Sequence, residues 1–130
     1  MSGLSDEMDG APAEEVSAEV RRLLAGLRAE VAILDASEAG PRYCRDWDDT
    51  VGEPAPVVRP RTPEALARAV ALLGAAGLRM VPQGGMTGLA AGGAPQRGEV
   101  VVSTELLDAI EGVDVFNGTM RVQAGVTLQA

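Results

Sequence analysis

No histidine and no lysine occur in this chain of 130 residues, and aromatic residues make up only 2% of it. Without histidine, the commonest general base and the commonest metal ligand are both gone. All basic residues are arginines, set against a formal charge of −8. That balance argues against a general role in binding nucleic acid, whose affinity rests on clustered cations neutralising phosphates. It equally argues against a polybasic membrane tether. Cys44 is the only cysteine, which excludes an intrachain disulfide and a thiolate metal cluster. No apolar run approaches the roughly 20 residues needed to cross a bilayer, so no transmembrane segment is expected. The first residues lack the apolar centre of a signal peptide, which makes the cytoplasm the expected location.

What remains is enough for one ordinary domain. Hydrophobic residues are 46% of the chain, so its core is built from Ala, Val, Leu and Ile. Residues 1–13 read as a disordered leader. From Glu14, the positions Val16, Val20, Leu23, Leu24, Leu27 and Val31 recur at three- and four-residue intervals and predict an amphipathic packing helix. Residues 36–56 are irregular, with Gly40-Pro41 and Gly52 breaking any period. Asp46, Asp48 and Asp49 lack the ligand spacing of a calcium loop and read as a solvated acidic turn. Cys44 and Trp47 read as packing residues.

Val57–Pro60 predicts a strand closed by proline. Thr62 is then a good N-cap, with Pro63 at the first helical position. Leu66, Ala69, Val70 and Leu73 are the expected buried face of this helix, with Gly74 and Gly77 ending it. Residues 78–81 form a second strand, which completes a βαβ unit. A third strand is expected over Glu99–Ser103. Last comes a hairpin, with Val113 and Val115 before Asn117-Gly118 and Met120, Val122 and Ala124 after it. A two-residue Asn-Gly link suits a type I′ turn, in which both positions need positive φ.

The chemistry lies between the second and third strands, in Pro82-Gln83-Gly84-Gly85-Met86-Thr87-Gly88-Leu89-Ala90-Ala91-Gly92-Gly93. Five glycines in twelve residues permit positive φ and remove the Cβ atoms that would keep a ligand away. Successive N–H groups there can converge into an anion nest, with the Thr87 hydroxyl beside them. A P-loop is excluded for want of lysine, and the dinucleotide fingerprint fails because Met86 and Thr87 stand where its second glycine belongs. A bare surface loop and a phosphate site both fit this composition; the strand before it favours the site.

The order Arg59-Pro60, helix, strand, Pro82-Gln83-Gly84-Gly85-x-Thr87-Gly88 resembles the FAD-binding domain of the vanillyl-alcohol oxidase and p-cresol methylhydroxylase type. Within that type it is most similar to the D-2-hydroxyacid dehydrogenases that act on D-2-hydroxyglutarate, D-lactate or glycolate. Tyr43, Asp46 and Trp47 resemble the family's lead-in. Glu99–Thr104 resembles the strand and serine turn after its glycine loop, and Gln123-Ala124-Gly125-Val126 an element that follows the hairpin.

The resemblance implies an α+β fold: the N-terminal subdomain of a p-cresol methylhydroxylase-type FAD-binding domain, incomplete and preceded by an amphipathic helix. It divides the chain into the leader (1–13), a helix with lead-in (14–50) and a truncated first half of the FAD-binding domain (51–130). It implies that Pro82, Gln83, Gly84, Gly85, Met86, Thr87, Gly88 and Leu89 wrap the FAD pyrophosphate through backbone amides. Ser103 and Thr104 would approach the cofactor from the next turn, and Gly125 and Val126 would lie near it. Met86 is a departure, since Asn, His or Gly is more usual there. Two simpler roles stay open: Gly125 as a turn only, and Thr104 as the cap of a helix over Glu105–Ile110.

In the resembled mechanism a 2-hydroxyacid is oxidised by hydride transfer to flavin, and the catalytic histidines belong to a cap that this chain does not contain. No residue here is assigned as the base, and no metal ligand is assigned. Two readings therefore stand: the FAD-binding portion of a D-2-hydroxyacid dehydrogenase, inactive alone, or a small non-catalytic α+β binding module.

Overall fold

The computed structural model describes residues 10–45 and 51–129. Asp46, Trp47, Asp48 and Asp49, and most of the expected leader, lie outside the described residues. Helix α1 (Ala13–Leu23) opens after Pro12, with Glu14 and Glu15 in its first turn and Arg21 and Arg22 in its last, both matched to the helix dipole. Ala11, at the end of the expected leader, already packs into the core. Val16 and Val20 are fully buried, as are Leu24 and Leu27 in the short turn that follows.

Val31 departs from the expected helix. It begins strand β1 (Val31–Leu34), antiparallel to β2 (Val57–Pro60) with Val31 opposite Pro60. The helical spacing continues to Val31 by coincidence, because a 3₁₀ turn at Ala25–Leu27 changes the direction of the chain after α1. The irregular lead-in contains a one-turn helix α2 (Ala36–Ala39) and a 3₁₀ turn, Pro41–Tyr43. Ser17 ties α1 to α2, its hydroxyl donating to the Ala13 carbonyl (2.8 Å) and accepting from the Ala36 amide (3.0 Å).

Helix α3 (Pro63–Ala75) is capped as expected, with the Thr62 hydroxyl accepting from the Ala65 amide at 3.1 Å. Its buried stripe is Ala65, Ala69 and Leu73, whereas Val70 is 38% exposed. Gly74 is inside the helix, and Gly77 (φ 78°) takes the left-handed position that ends it. Strands β3 (Met80–Gln83) and β4 (Val100–Ser103) follow. Sheet order is β1-β2-β4-β3, with β4 parallel to both β2 and β3. The βαβ unit is therefore present, with β4 inserted between its two strands.

Alternation along the strands sorts the core into two faces. Val58 and Val100 join α1 and α3, while Val57 and Val101 meet Ala39, Tyr43 and Ala55 of the lead-in. Adjacent parallel strands need a long crossover, usually a helix. Between β3 and β4 that crossover is the glycine-rich loop itself. The register places Gln83 opposite Ser103, so the loop leaves the carboxyl edge of the sheet beside the turn after β4.

Residues 105–109 are not helical. Leu107 closes a turn onto the Thr104 carbonyl (2.9 Å), and β5 (Ile110–Asp114) begins at once, so Thr104 caps no helix. The carbonyls of Leu107 and Ala109 are taken by the amides of Gly125 (2.7 Å) and Gln123 (2.9 Å), which holds this segment extended. Strand β6 (Thr119–Val122) pairs with β5, with Asp114 opposite Thr119. The link is therefore a four-residue turn, 115–118, and only Gly118 (φ 64°) is left-handed. The type I′ expectation fails because Asp114 accepts from both the amide (3.1 Å) and the side chain (2.7 Å) of Asn117, fixing a wider turn. Every residue of both hairpin strands is exposed.

Candidate functional site

The loop after β3 encloses an open cavity of about 240 Å³, lined by residues 82–88 together with Gly92 and Gly93. That is smaller than the roughly 300–1,000 Å³ of pockets that surround a whole small molecule, so it suits one group of a larger ligand. Leu89 is not part of the lining and is 68% exposed. Gly92 and Gly93 are lining residues that sequence reasoning left out of the site, although they close the same glycine-rich stretch.

Among the described residues, no backbone N–H from Gly84 to Gly93 donates to a main-chain or side-chain acceptor within the loop or around it. Most of these residues are exposed, so their donors are open to solvent or to a bound group.

The glycines sharpen this. None of Gly84, Gly85, Gly88 and Gly92 has positive φ; the left-handed residues of the loop are Met86 (φ 58°) and Ala91 (φ 62°). A Cβ added at Gly84, Gly88 or Gly92 would meet nothing within 4 Å, and one at Gly85 would only graze Thr87 at 4.0 Å. Neither backbone conformation nor packing within the chain requires glycine at these places. The missing side chains leave this stretch of backbone open to solvent.

Gln83 is 3% exposed and anchors the loop. Its side-chain NH2 donates to the Tyr43 carbonyl (2.6 Å) and to the Gly93 carbonyl (2.8 Å). Its own carbonyl accepts from the Thr104 amide (3.0 Å) and hydroxyl (3.4 Å). Ser103 is 2% exposed, and its Oγ accepts from the Glu105 amide at 3.3 Å. The Thr104 hydroxyl is thus held against the loop's base, while that of Ser103 braces the turn after β4.

Sequence reasoning missed the cluster beneath. The Glu105 carboxylate takes the Tyr43 hydroxyl and the Arg42 guanidinium (2.7 Å), with Arg59 at 3.7 Å. Arg42 also lies over the Tyr43 ring, 4.7 Å from its centroid. Burial, followed by the hydrogen bond to Glu105, pushes the Tyr43 phenol above its ordinary pKa, so it remains a donor at neutral pH. The contact joins residues 62 positions apart, and no local pattern announces it.

Gly125 packs on the same turn. A Cβ there would lie 2.1 Å from the Thr104 carbonyl oxygen and 2.8 Å from that of Leu107, so glycine is a steric requirement. The Val126 amide is engaged with the Gln123 carbonyl at 3.2 Å. The structure thus brings Gln83, Ser103, Thr104 and Gly125 together at the carboxyl edge of the sheet, where open α/β sheets bind ligands. Val126 follows with its donor used, and Leu89 stands apart.

This donor set fits a diphosphate: amides without a protein partner, no Cβ at five of the nine lining residues and no carboxylate among them. Comparison with known proteins points to the group that carries one. The FAD binding domain family matches residues 54–130. The chain is 34% identical over 85 residues to the mitochondrial D-2-hydroxyglutarate dehydrogenase of Danio rerio, covering 65% of this chain and 16% of that protein. Against the Bos taurus protein of the same name, identity is 33% over 99 residues, covering 75% and 18%. The chain therefore spans less than a fifth of the length of these relatives. A solved flavoenzyme involved in shunt-product recycling in caerulomycin biosynthesis shares the fold, with a TM-score of 0.54 at 21% identity, covering 76% of this chain and 20% of that one. No helix among the described residues is long and apolar enough to cross a membrane. The chain belongs to the FAD binding domain family, and its cofactor is FAD.

Proposed function

We propose that the amides of Pro82–Leu89 segment residues bind the FAD pyrophosphate in an oxidoreductase that converts a D-2-hydroxyacid to the 2-oxoacid. Pro82, which has no N–H, starts the segment and supplies no donor. The observation that carries the reading is the run of unpaired amides over Gly84–Gly93, bared by glycines that the fold itself does not need. Backbone N–H groups aimed together at one point stabilise an anion without a lysine or arginine in the loop. The names of the relatives, D-2-hydroxyglutarate dehydrogenase and putative D-lactate dehydrogenase, support the substrate class.

In this reading Ser103, Thr104 and Gly125 form the floor that fixes the loop, and Val126 adjoins them. When bound, the flavin supplies the two-electron redox chemistry. This chain's residues bind and orient; none is assigned as the base that takes the substrate hydroxyl proton.

Titration with ADP, FAD and riboflavin, followed by amide NMR, tests the reading. ADP and FAD are expected to shift the Gly84–Gly93 resonances, weakly but alike, and riboflavin to leave them alone. Loop resonances that ignore saturating ADP and FAD would remove the phosphate site. In a full-length dehydrogenase that carries this segment, anaerobic bleaching of bound flavin by D-2-hydroxyglutarate or D-lactate, and not by their L-enantiomers, tests the substrate class.

A further inference from the structure

We propose that the Gln83 side chain is a positioning residue, a clamp that holds the phosphate loop in its binding shape before any ligand arrives. The inference rests on the loop being the phosphate site and concerns what keeps it formed. Loop amides that bond to no carbonyl have no ladder to hold their direction. Something else must fix them, or a ligand would have to order the whole segment on binding.

The Gln83 carboxamide is placed to do so. Its two N–H donors go to Gly93, at the far end of the loop, and to Tyr43, in the lead-in. Both hydrogens of the NH2 group are used, and the orientation is dictated by its partners: Oε1 in that position would face two acceptors. One side chain therefore joins the loop's start to its end and both to the lead-in. Tyr43 in turn reaches Glu105, whose amide rests on Ser103, and Thr104 returns to the Gln83 carbonyl. The result is a closed circuit of hydrogen bonds under the cavity.

A second contact closes the loop from above. Met86, held left-handed, lays its thioether against Gly93, where an added Cβ would stand 3.0 Å from Sδ and 3.3 Å from Cε. The same Cβ would be 3.9 Å from Gln83 Cγ, so both side chains converge on Gly93.

The test replaces Gln83 with Met, which keeps the volume and removes both donors. In the ligand-free protein, backbone ¹⁵N order parameters over Gly84–Gly93 are expected to fall from about 0.85 to below about 0.6, with those of β4 unchanged. ADP affinity is expected to drop tenfold or more. A merely structural role would lower thermal stability and leave both loop order and ADP affinity as they were, which would overturn the proposal. If the variant does not fold, exchange of the Gln83 NH2 protons in the native protein decides: slow exchange of both supports the clamp, and exchange at the rate of a free amide refutes it. A native loop that is ordered yet indifferent to ADP would sink the phosphate reading and leave the clamp standing.

Discussion

Glycines at the seams of the fold and glycines in the loop after β3 lack the same atom for different reasons. At Gly52 an added Cβ would meet the Pro95 carbonyl oxygen at 2.3 Å and its nitrogen at 2.8 Å; at Gly125 it would meet the Thr104 carbonyl oxygen at 2.1 Å. Those contacts are to backbone, which cannot swing aside. At Gly84, Gly88 and Gly92 the same atom would meet nothing within 4 Å. The seam glycines serve the chain's own packing. Gly84, Gly88 and Gly92 serve none of it.

The comparison breaks most visibly at the seams. Gly125→Ala is expected to destabilise by about 3 kcal/mol, roughly 10 °C in Tm, because the turn after β6 must lift off Thr104 and lose the Gly125–Leu107 hydrogen bond. Gly52→Ala is expected to cost a similar amount, by separating the lead-in from Pro95. Thermal or urea denaturation measures both. A loss under about 0.5 kcal/mol at either site would mean that the seam is not closed as described.

Gly85→Ala should separate the two sets from the other side. Stability is expected to stay within about 0.5 kcal/mol of the parent, as for a surface substitution without a named mechanism. ADP affinity is expected to fall about tenfold, or roughly 1.4 kcal/mol, because the methyl group occupies ligand space. Unchanged affinity would show that the loop glycines leave room for something other than the phosphates.

Legibility in the sequence followed the range of the interaction. Strand β2, the Thr62 cap, helix α3 and the glycine-rich loop were all readable, because each is set by residues a few positions apart. Strand β1 was hidden because Val31 stands four residues after Leu27 and so imitates a further helical turn. The hairpin was readable as a pair of strands, but its turn was not: Asn-Gly suggested two linking residues, and Asp114 three positions before Asn117 decided for four. The glycines of the loop were noted for positive φ, yet Met86 and Ala91 carry it. What stayed hidden altogether was Gln83 as a tether, since its partners Gly93 and Tyr43 are 10 and 40 positions away. Gly125 was left open between turn and cofactor neighbour for the same reason; its constraint comes from Thr104.

Ala91 offers a smaller probe of the same contrast. It holds φ 62° without being glycine, while its glycine neighbours do not need their freedom. Left-handed backbone costs an L-residue roughly 1–2 kcal/mol, part of which glycine gives back as unfolded-state entropy. Ala91→Gly is therefore expected to stabilise by up to about 1 kcal/mol in urea denaturation. A clear loss would mean that the Ala91 methyl group makes a contact worth more than the strain.

Gly93 stands between the two sets and should give the smallest effect. Its added Cβ would press on Met86, 3.0 Å from Sδ, but that atom is near the end of a flexible side chain and can rotate away. Gly93→Ala is expected to cost about 0.5 kcal/mol, far below Gly125→Ala despite the close approach. If the thioether is what yields, Met86→Ala should cancel that cost, and a double-mutant cycle in urea should return a coupling of about the same size. A cost near that of the seam glycines, unrelieved by Met86→Ala, would place backbone rather than side chain against Gly93 and move it into the first set.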